Sequence, residues 1–413
     1  MHAVTRAILY SNRGRDPQRV KVKLAAIRAD AFAFFRGTSA LFYDTLALPR
    51  ALLDSPAVLC CGDLHLQNFG GYKGDNRLVY FDINDFDESC VAPVAFELVR
   101  FLTSMRLAGD TLALRDKRTG DLMAAFIDTY ATNIAAGKPR WIERSLASGP
   151  VKALLQGVKR RHRRDLIRAR TRRQSGKGKN NIALIIDGKR TLAASARERE
   201  HAAALLASHA RAQGAGDFFV PLDIARRIAG NGSLGLARYL ALVRGNGKPD
   251  GQYLIDIKYT PASSLAPHCG QPQPRWRHEA ERVATIQGVM QAIPPALLGA
   301  VADGKRSYLI KEMQPSADRV DLSALHGNLA TLNAVIRTMA EVAAWGHLRG
   351  CGRFGKDGAA SGESLSAFAV QKPWRKQVLA QADAAHQRVL QQWQAYAGDY
   401  DAGPEQLLAA IAR

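Results

Sequence analysis

The sequence predicts an α+β protein in which a small, antiparallel β-rich segment is set within a larger helical body. Three observations predict it. Apolar residues recur at three- and four-residue spacing over 94–108, 120–136, 276–292, 321–345 and 366–396, which reads as helix. Short apolar runs punctuated by glycines fill 217–260. Two further strand-like runs, AVLCCGDLH and LVYFDIND, each end in polar residues and carboxylates.

Taken in order, 18–48 reads as two helices broken near Gly37, and GGYKGDN between the two early strands reads as a turn-rich connection. Residues 152–179 hold twelve Lys or Arg against the single acid Asp165. Leu154, Leu155, Val158 and Leu166 form a narrow apolar stripe, so the first part is expected to be helical and QSGKGKNN a loop. From 217, strand, glycine turn and strand alternate, and SYLIKEMQ at 307–314 is a further strand. The expected division is 1–150, a first helical part with the carboxylate loops; 151–215, a basic connection; 216–315, the β-rich part; and 316–413, the helical remainder.

The 413 residues can bury a sizeable core, and 47% apolar content is ordinary. The net charge of +21 is not ordinary, and it favours polyanionic or phosphorylated partners. The basic run leaves nucleic acid open as one of them. Five cysteines with no C-x-x-C pair argue against a disulfide framework or a zinc site and fit a reducing cytoplasm. The first sixteen residues lack a signal-peptide pattern, and no apolar run is long enough to span a membrane, so no membrane insertion is expected.

Two stretches suggest chemistry. In GDLHLQN, Asp63 lies five residues before Asn68, and Asp82 follows nineteen residues after Asp63 at the end of an apolar run. Phosphoryl transfer needs a carboxylate near the attacking hydroxyl and oxygen ligands that hold Mg²⁺ against phosphates. Asp63 suits the first task, and Asn68 and Asp82 the second, with Asp85 and Asp87 as further or rival ligands. An EF-hand pattern is absent. The second stretch, Gly230-Asn231-Gly232-Ser233-Leu234-Gly235, is a G-x-G-x-x-G, a weak signal alone. No helix start follows it at once. The strand–turn–strand that does follow favours a hairpin covering phosphates over a dinucleotide-binding turn.

GDLHLQN with YFDINDFD is similar to the catalytic loop and metal-binding segment of aminoglycoside phosphotransferases and related small-molecule kinases, with Cys61 where that family usually has His. Pro93 and Glu97 resemble the family's later D-P-x-x-D-L segment. With Phe35-Arg36-Gly37, Asn68-Phe69-Gly70 and NDFDE at 84–88, most of the chain resembles an uncharacterised bacterial family, a domain of unknown function thought to be kinase-like.

The resemblance implies a two-lobed protein-kinase-like fold with a small antiparallel β lobe and a larger helical lobe. It implies ATP and Mg²⁺ as cofactors, with Asp63 as base and Asn68, Asp82 and Asp85 near the metal. His65 is expected to support its loop, and Arg36 to approach the site. Lys258, 23 residues after Gly235, is similar to the kinase V-A-I-K lysine, and Glu279 or Glu281 would orient it. Glu312 and Met313 would lie at the hinge that receives adenine. The catalytic loop precedes the glycine loop, the reverse of ordinary kinases, which implies a circular permutation or an inserted small lobe. The expected function is transfer of the ATP γ-phosphate to an unidentified hydroxyl acceptor. The alternatives are AMP transfer by a kinase-like nucleotidyltransferase and a non-catalytic polyanion-binding module.

Overall fold

The structure is a computed structural model that describes residues 1–111, 114–173, 182–230, 232–246, 251–315, 317–325 and 327–411. Asn231 and positions 174–179 of the basic run lie outside the described residues. The fold is α+β with small antiparallel sheets.

Helices α1 (Ala3–Ser11), α2 (Pro17–Ala29), α3 (Ala31–Gly37), α4 (Ser39–Thr45) and the single turn α5 (Arg50–Leu53) come first. The helical run expected over 18–48 is broken at Thr38, beside Gly37, and also at Asp30. Asp30 is extended, and its side chain caps the Ala33 amide at 2.7 Å, so it starts a new helix. Next come β1 (Ala57–Cys60), a 3-10 turn (Leu66–Asn68), β2 (Phe69–Lys73), β3 (Val79–Ile83) and β4 (Cys90–Pro93). The connection expected at GGYKGDN is therefore largely a strand, β2, paired with β3. Helices α6 (Val94–Thr111) and α7 (Asp116–Ala136), the short β5 (Ile142–Glu143), α8 (Gly149–Arg160) and α9 (Arg163–Arg168) follow.

The β-rich part then begins. It comprises β6 (Thr171–Arg173), β7 (Ile182–Leu184), β8 (Thr191–Ala193), α10 (Ala196–Gln213), β9 (Pro221–Arg227), β10 (Arg238–Val243), β11 (Tyr253–Tyr259), α11 (Glu279–Met290), β12 (Gly299–Asp303) and β13 (Arg306–Glu312). Helices α12 (Leu329–Gly350), α13 (Gly362–Val370), α14 (Pro373–Ala402) and α15 (Pro404–Ile411) complete the helical body. Among the described residues no helix is long and apolar enough to cross a membrane.

One antiparallel sheet has the order β12-β13-β11-β10-β9-β8. Strand alternation sorts its residues. Ile255 and Ile257 pack with Leu205 and Leu206 of α10 on one face. Leu254 packs with Leu240, Leu242 and Met313 on the other. Asp256 and Lys258 share the parity of Leu254, so they point to that second face, toward the helical body. There Asp256, 2% exposed, is clamped by Arg227 at 2.5 Å and by both ends of the Arg238 fork at 2.9 and 2.5 Å. Burial alone would raise this carboxyl, but the two arginines hold it well below the usual carboxylate range.

The sign of the pH effect follows. A carboxyl whose pKa falls on folding stabilises the fold above its unfolded pKa, about 4, and loses that contribution as pH falls through the lower folded value. Asp256→Asn should lower stability at pH 7 by about 3 kcal/mol. In urea denaturation the gap from the parent should narrow below about pH 4. A gap that stays constant as the pH falls would mean that the clamp adds no charge-dependent stability.

Candidate functional site

The loop after β1 turns sharply at Gly62, where φ is +78° and a Cβ would lie 1.9 Å from the Glu88 carbonyl oxygen. Only glycine fits there. The Gly62 amide donates to Glu97 Oε1 at 2.9 Å, and Glu97 Oε2 accepts from His347 Nε2 at 2.7 Å. His347 Nδ1 in turn meets the Tyr130 hydroxyl at 2.7 Å. Glu97 and His347 are completely buried, so this network anchors the loop from below.

Asp63 comes next. Its Oδ1 accepts from Arg100 Nε at 2.7 Å, and its side chain keeps 23% exposure toward a cavity. Arg100 is fully buried and lies over the rings of Phe35, Phe42 and Tyr43 at 4.1, 4.7 and 5.4 Å. Burial raises the Asp63 pKa, partly offset by Arg100. His65 Nδ1 accepts the Gln67 amide, and burial with Arg36, Arg100 and Arg319 nearby pushes its pKa well down. The ring therefore supports its loop as a neutral group.

Asn68 joins two loops. Its amide nitrogen donates to the carbonyls of Asp63 and Asp85, both at 3.0 Å, and its Oδ1 accepts the Asp85 amide at 2.8 Å. Strand β3 has ended by then, and Asp85 and Asp87 both line the cavity, as does Glu88. Burial would raise Asp85, but Lys258, Lys311 and Arg238 together hold it down at about 2.

Asp82 does not join them. It sits inside β3, 3% exposed, where its oxygens accept from the amides of Ile83 and Ala292 and face Arg349 of α12 at 3.4 Å. The alternation of β3 points it inward, so Asp82, expected as a metal ligand, is not brought to the cavity with Asp63 and Asp85.

From the sheet side come Gly230, Gly232 and Ser233, which line the same cavity of about 260 Å³. Arg15 Nη1 donates to the carbonyls of Gly232 at 2.7 Å and Leu234 at 3.2 Å, and the Gly235 carbonyl accepts the Asp16 amide at 3.0 Å. A second cavity of about 100 Å³ lies beside the first, and Asp85, Asp87, Gly230, Ser233 and Arg319 belong to both walls. Lys258 lines this second cavity, 8% exposed, ion-paired with Asp87 and 3.8 Å from Asp85.

Lys258 does not pair with Glu279 or Glu281. These occupy the first turn of α11, where the helix dipole favours carboxylates, and they bind Arg282 and Arg277. The residue of α11 that lines the cavity with Lys258 is Gln287, two turns on, 1% exposed, with its Nε2 unpaired. Arg282 ties α11 to the carboxylate loop instead, donating to the carbonyls of Asp87 and Pro261 at 3.0 and 3.1 Å.

The hinge expectation also changes. The Glu312 amide is taken by the Ala296 carbonyl and the Met313 amide by the Leu254 carbonyl, while the Glu312 side chain pairs with Arg77. Neither amide is free to receive a base.

The sequence reading missed Arg100, Gln287, Lys311 and the cations Arg15, Lys23 and Arg319. Arg100 had a signal, since it lies three residues after Glu97 on one helix face. The others are brought in by long-range packing.

Removal of the Glu97 carboxylate should be severe. Glu97→Ala leaves the Gly62 amide and His347 without their partner and should cost about 3–5 kcal/mol. The Glu97→Ala/His347→Ala pair should fall short of additivity in chemical denaturation. Additive losses would mean that the two side chains are not coupled.

No curated protein matches the chain, and no solved structure matches it. Residues 15–399 match the model of a family described as an uncharacterized protein conserved in bacteria (DUF2252), and since that span takes in most of the sequence, the chain belongs to this family.

Proposed function

We propose that the chain is a kinase-like phosphotransferase that moves the γ-phosphate of ATP to a hydroxyl of a small acceptor. The observation that carries this reading is convergence. Asp63, Asp85, Lys258 and the glycine loop are separated by up to about two hundred residues in sequence, yet they line two adjoining cavities. The connectivity agrees with it. A glycine-bearing hairpin, a strand ending near Lys258, a helix and a final hairpin follow one another as the resemblance requires. In this reading the six-stranded sheet with α11 is the small lobe, the helices are the large lobe, and the order of the two halves is that of a circular permutation.

The residues fit a hard cation. Asp85 and Asp87 offer carboxylate oxygens on one wall, and a lysine ammonium now sits between them. Mg²⁺ held by Asp85 and Asp87 would supply charge neutralisation at the phosphates. Lys258, released from Asp87, would pair with those phosphates, and the neutral amide of Gln287 would stand where other kinases use a glutamate. Asn68 positions rather than binds, because its amide already braces the Asp63 and Asp85 loops. Asp63, held through one oxygen by Arg100, would orient the acceptor hydroxyl and take its proton with the other.

Calorimetric titration with ATP and Mg²⁺ tests this reading. The parent should bind in a metal-dependent manner, Asp85→Ala and Lys258→Ala should each weaken binding about tenfold or more, and Glu279→Ala should change little. Absence of binding at millimolar ATP would overturn the proposal. With [γ-³²P]ATP and [α-³²P]ATP as donors, label transferred from the α position would indicate AMP transfer instead.

A further inference from the structure

The cavity around Asp63 has walls of both signs, but its charges are not equally satisfied. Each carboxylate is engaged: Asp63 with Arg100, Asp85 and Asp87 with Lys258, and Glu88 Oε2 with the Ser264 amide and hydroxyl at 2.5 and 2.8 Å. Of the cations on the same walls, Arg15 is engaged by two carbonyls, but three others are not so held. The side chains of Arg36 and Arg319 have no hydrogen bond or ion pair among the described residues, and the buried Arg36 Nε is unpaired. Lys23 is 3% exposed and reaches only the Gly232 carbonyl, at 3.5 Å. Burial lowers the pKa of all three, and the carboxylates nearby, Asp63 and Asp85 for Arg36, Asp85 for Arg319 and Glu88 for Lys23, offset it only in part.

Lys23 is buried and Arg36 and Arg319 are half-buried, and cations drawn out of water without a direct partner are unfavourable unless something supplies the missing anion. Asp85 and Asp87 line both cavities, but Lys258 already stands against them, so they supply it only in part. Both arginines flank His65 and Asp63, the acceptor end of the site, and Arg319 also reaches the wall of the adjoining cavity. Resting on the phosphotransfer reading, we infer that the acceptor is itself a phosphate ester, a small phosphorylated alcohol whose phosphate is gripped by Arg36 and Arg319 while its free hydroxyl meets Asp63. Two planar guanidinium forks with a lysine close by offer more donors than the two oxygens of a carboxylate can use, and they match the three oxygens of a phosphate monoester. A volume of about 260 Å³ suits a compact molecule.

The balance of the step is simple. The acceptor oxygen forms a bond to the γ-phosphorus as the bond from that phosphorus to the bridging oxygen of ADP breaks. The hydroxyl proton passes to Asp63, and the products are ADP and a doubly phosphorylated alcohol.

The probes are glycerol 3-phosphate and uncharged glycerol, titrated calorimetrically into the full chain with Mg²⁺ and the non-hydrolysable donor AMP-PNP present. Glycerol 3-phosphate should bind and glycerol should not. Arg36→Gln and Arg319→Gln should each weaken glycerol 3-phosphate about tenfold and leave AMP-PNP within about twofold. If the phosphate ester does not bind, or the two variants weaken AMP-PNP instead, the inference is overturned, and in the second case the cations belong to the donor. If AMP-PNP fails to bind while glycerol 3-phosphate binds through both arginines, the phosphotransfer reading falls and the phosphate-ester site stands.

Discussion

Everything at the site depends on the side chain of Asn68. Three of its hydrogen bonds, two as donor and one as acceptor, go to backbone groups of the two carboxylate-bearing loops, and its amide nitrogen also meets Cys61 Sγ at 3.8 Å. A buried amide that meets its partners in two separate loops fixes their spacing, because any relative shift leaves polar groups unpaired in a low dielectric. The loop of Asp63 is then held from below by Glu97, and the loop of Asp85 from the sheet side by Arg282. The carboxylates face the cavity because their backbones have no freedom to turn them elsewhere.

Charge sets a second constraint. In a chain of net charge +21, six carboxylates gathered within 63–88 would repel one another unless cations sat among them. The fold provides these from distant elements: Arg100 from α6, Lys258 from β11 and Arg349 from α12. Lys258 is the informative one. It stands between Asp85 and Asp87, so a metal of the proposed kind would compete with the lysine for the same oxygens. Binding of a metal–phosphate complex would exchange one pairing for two, carboxylate to metal and lysine to phosphate.

Much of this was legible in the sequence, and the failures have physical causes. The helices with strong periodicity, such as α7 and α14, and the strand–turn–strand around Lys258 are local signals that tertiary packing had no reason to override. GGYKGDN reads as a turn because glycine disfavours strands, yet Gly70 is needed in β2: a Cβ there would come within 2.3 Å of Asn84 and of the Asp318 carbonyl. Asp82 and Asp85 look equivalent in YFDINDFD. Only the residue at which β3 ends decides which carboxylate faces the core and which the cavity. Boundaries of that kind are the least readable feature of a sequence. Glu279 and Glu281 were attractive because an acid was expected, whereas the inward position of α11 holds an uncharged amide.

The glycine loop differs in one respect from a flap free to open. Arg15 holds its carbonyls at Gly232 and Leu234, and the Asp16 amide holds that of Gly235. Asp16 is itself fixed by Arg226 of β9 at 2.5 Å and caps α2 through the Arg19 amide. The start of α2 and the sheet therefore form one brace across more than two hundred residues of sequence. In such an arrangement the loop cannot lift without breaking hydrogen bonds to the first helices, so movement over the cavity and movement of the segment around Arg15 are a single event. Lys23 lies on the same helix, one to two turns after the cap. An anion entering beside it would therefore act on the element that holds the loop down, and in the proposed reading that would couple the acceptor end of the site to the loop over the donor.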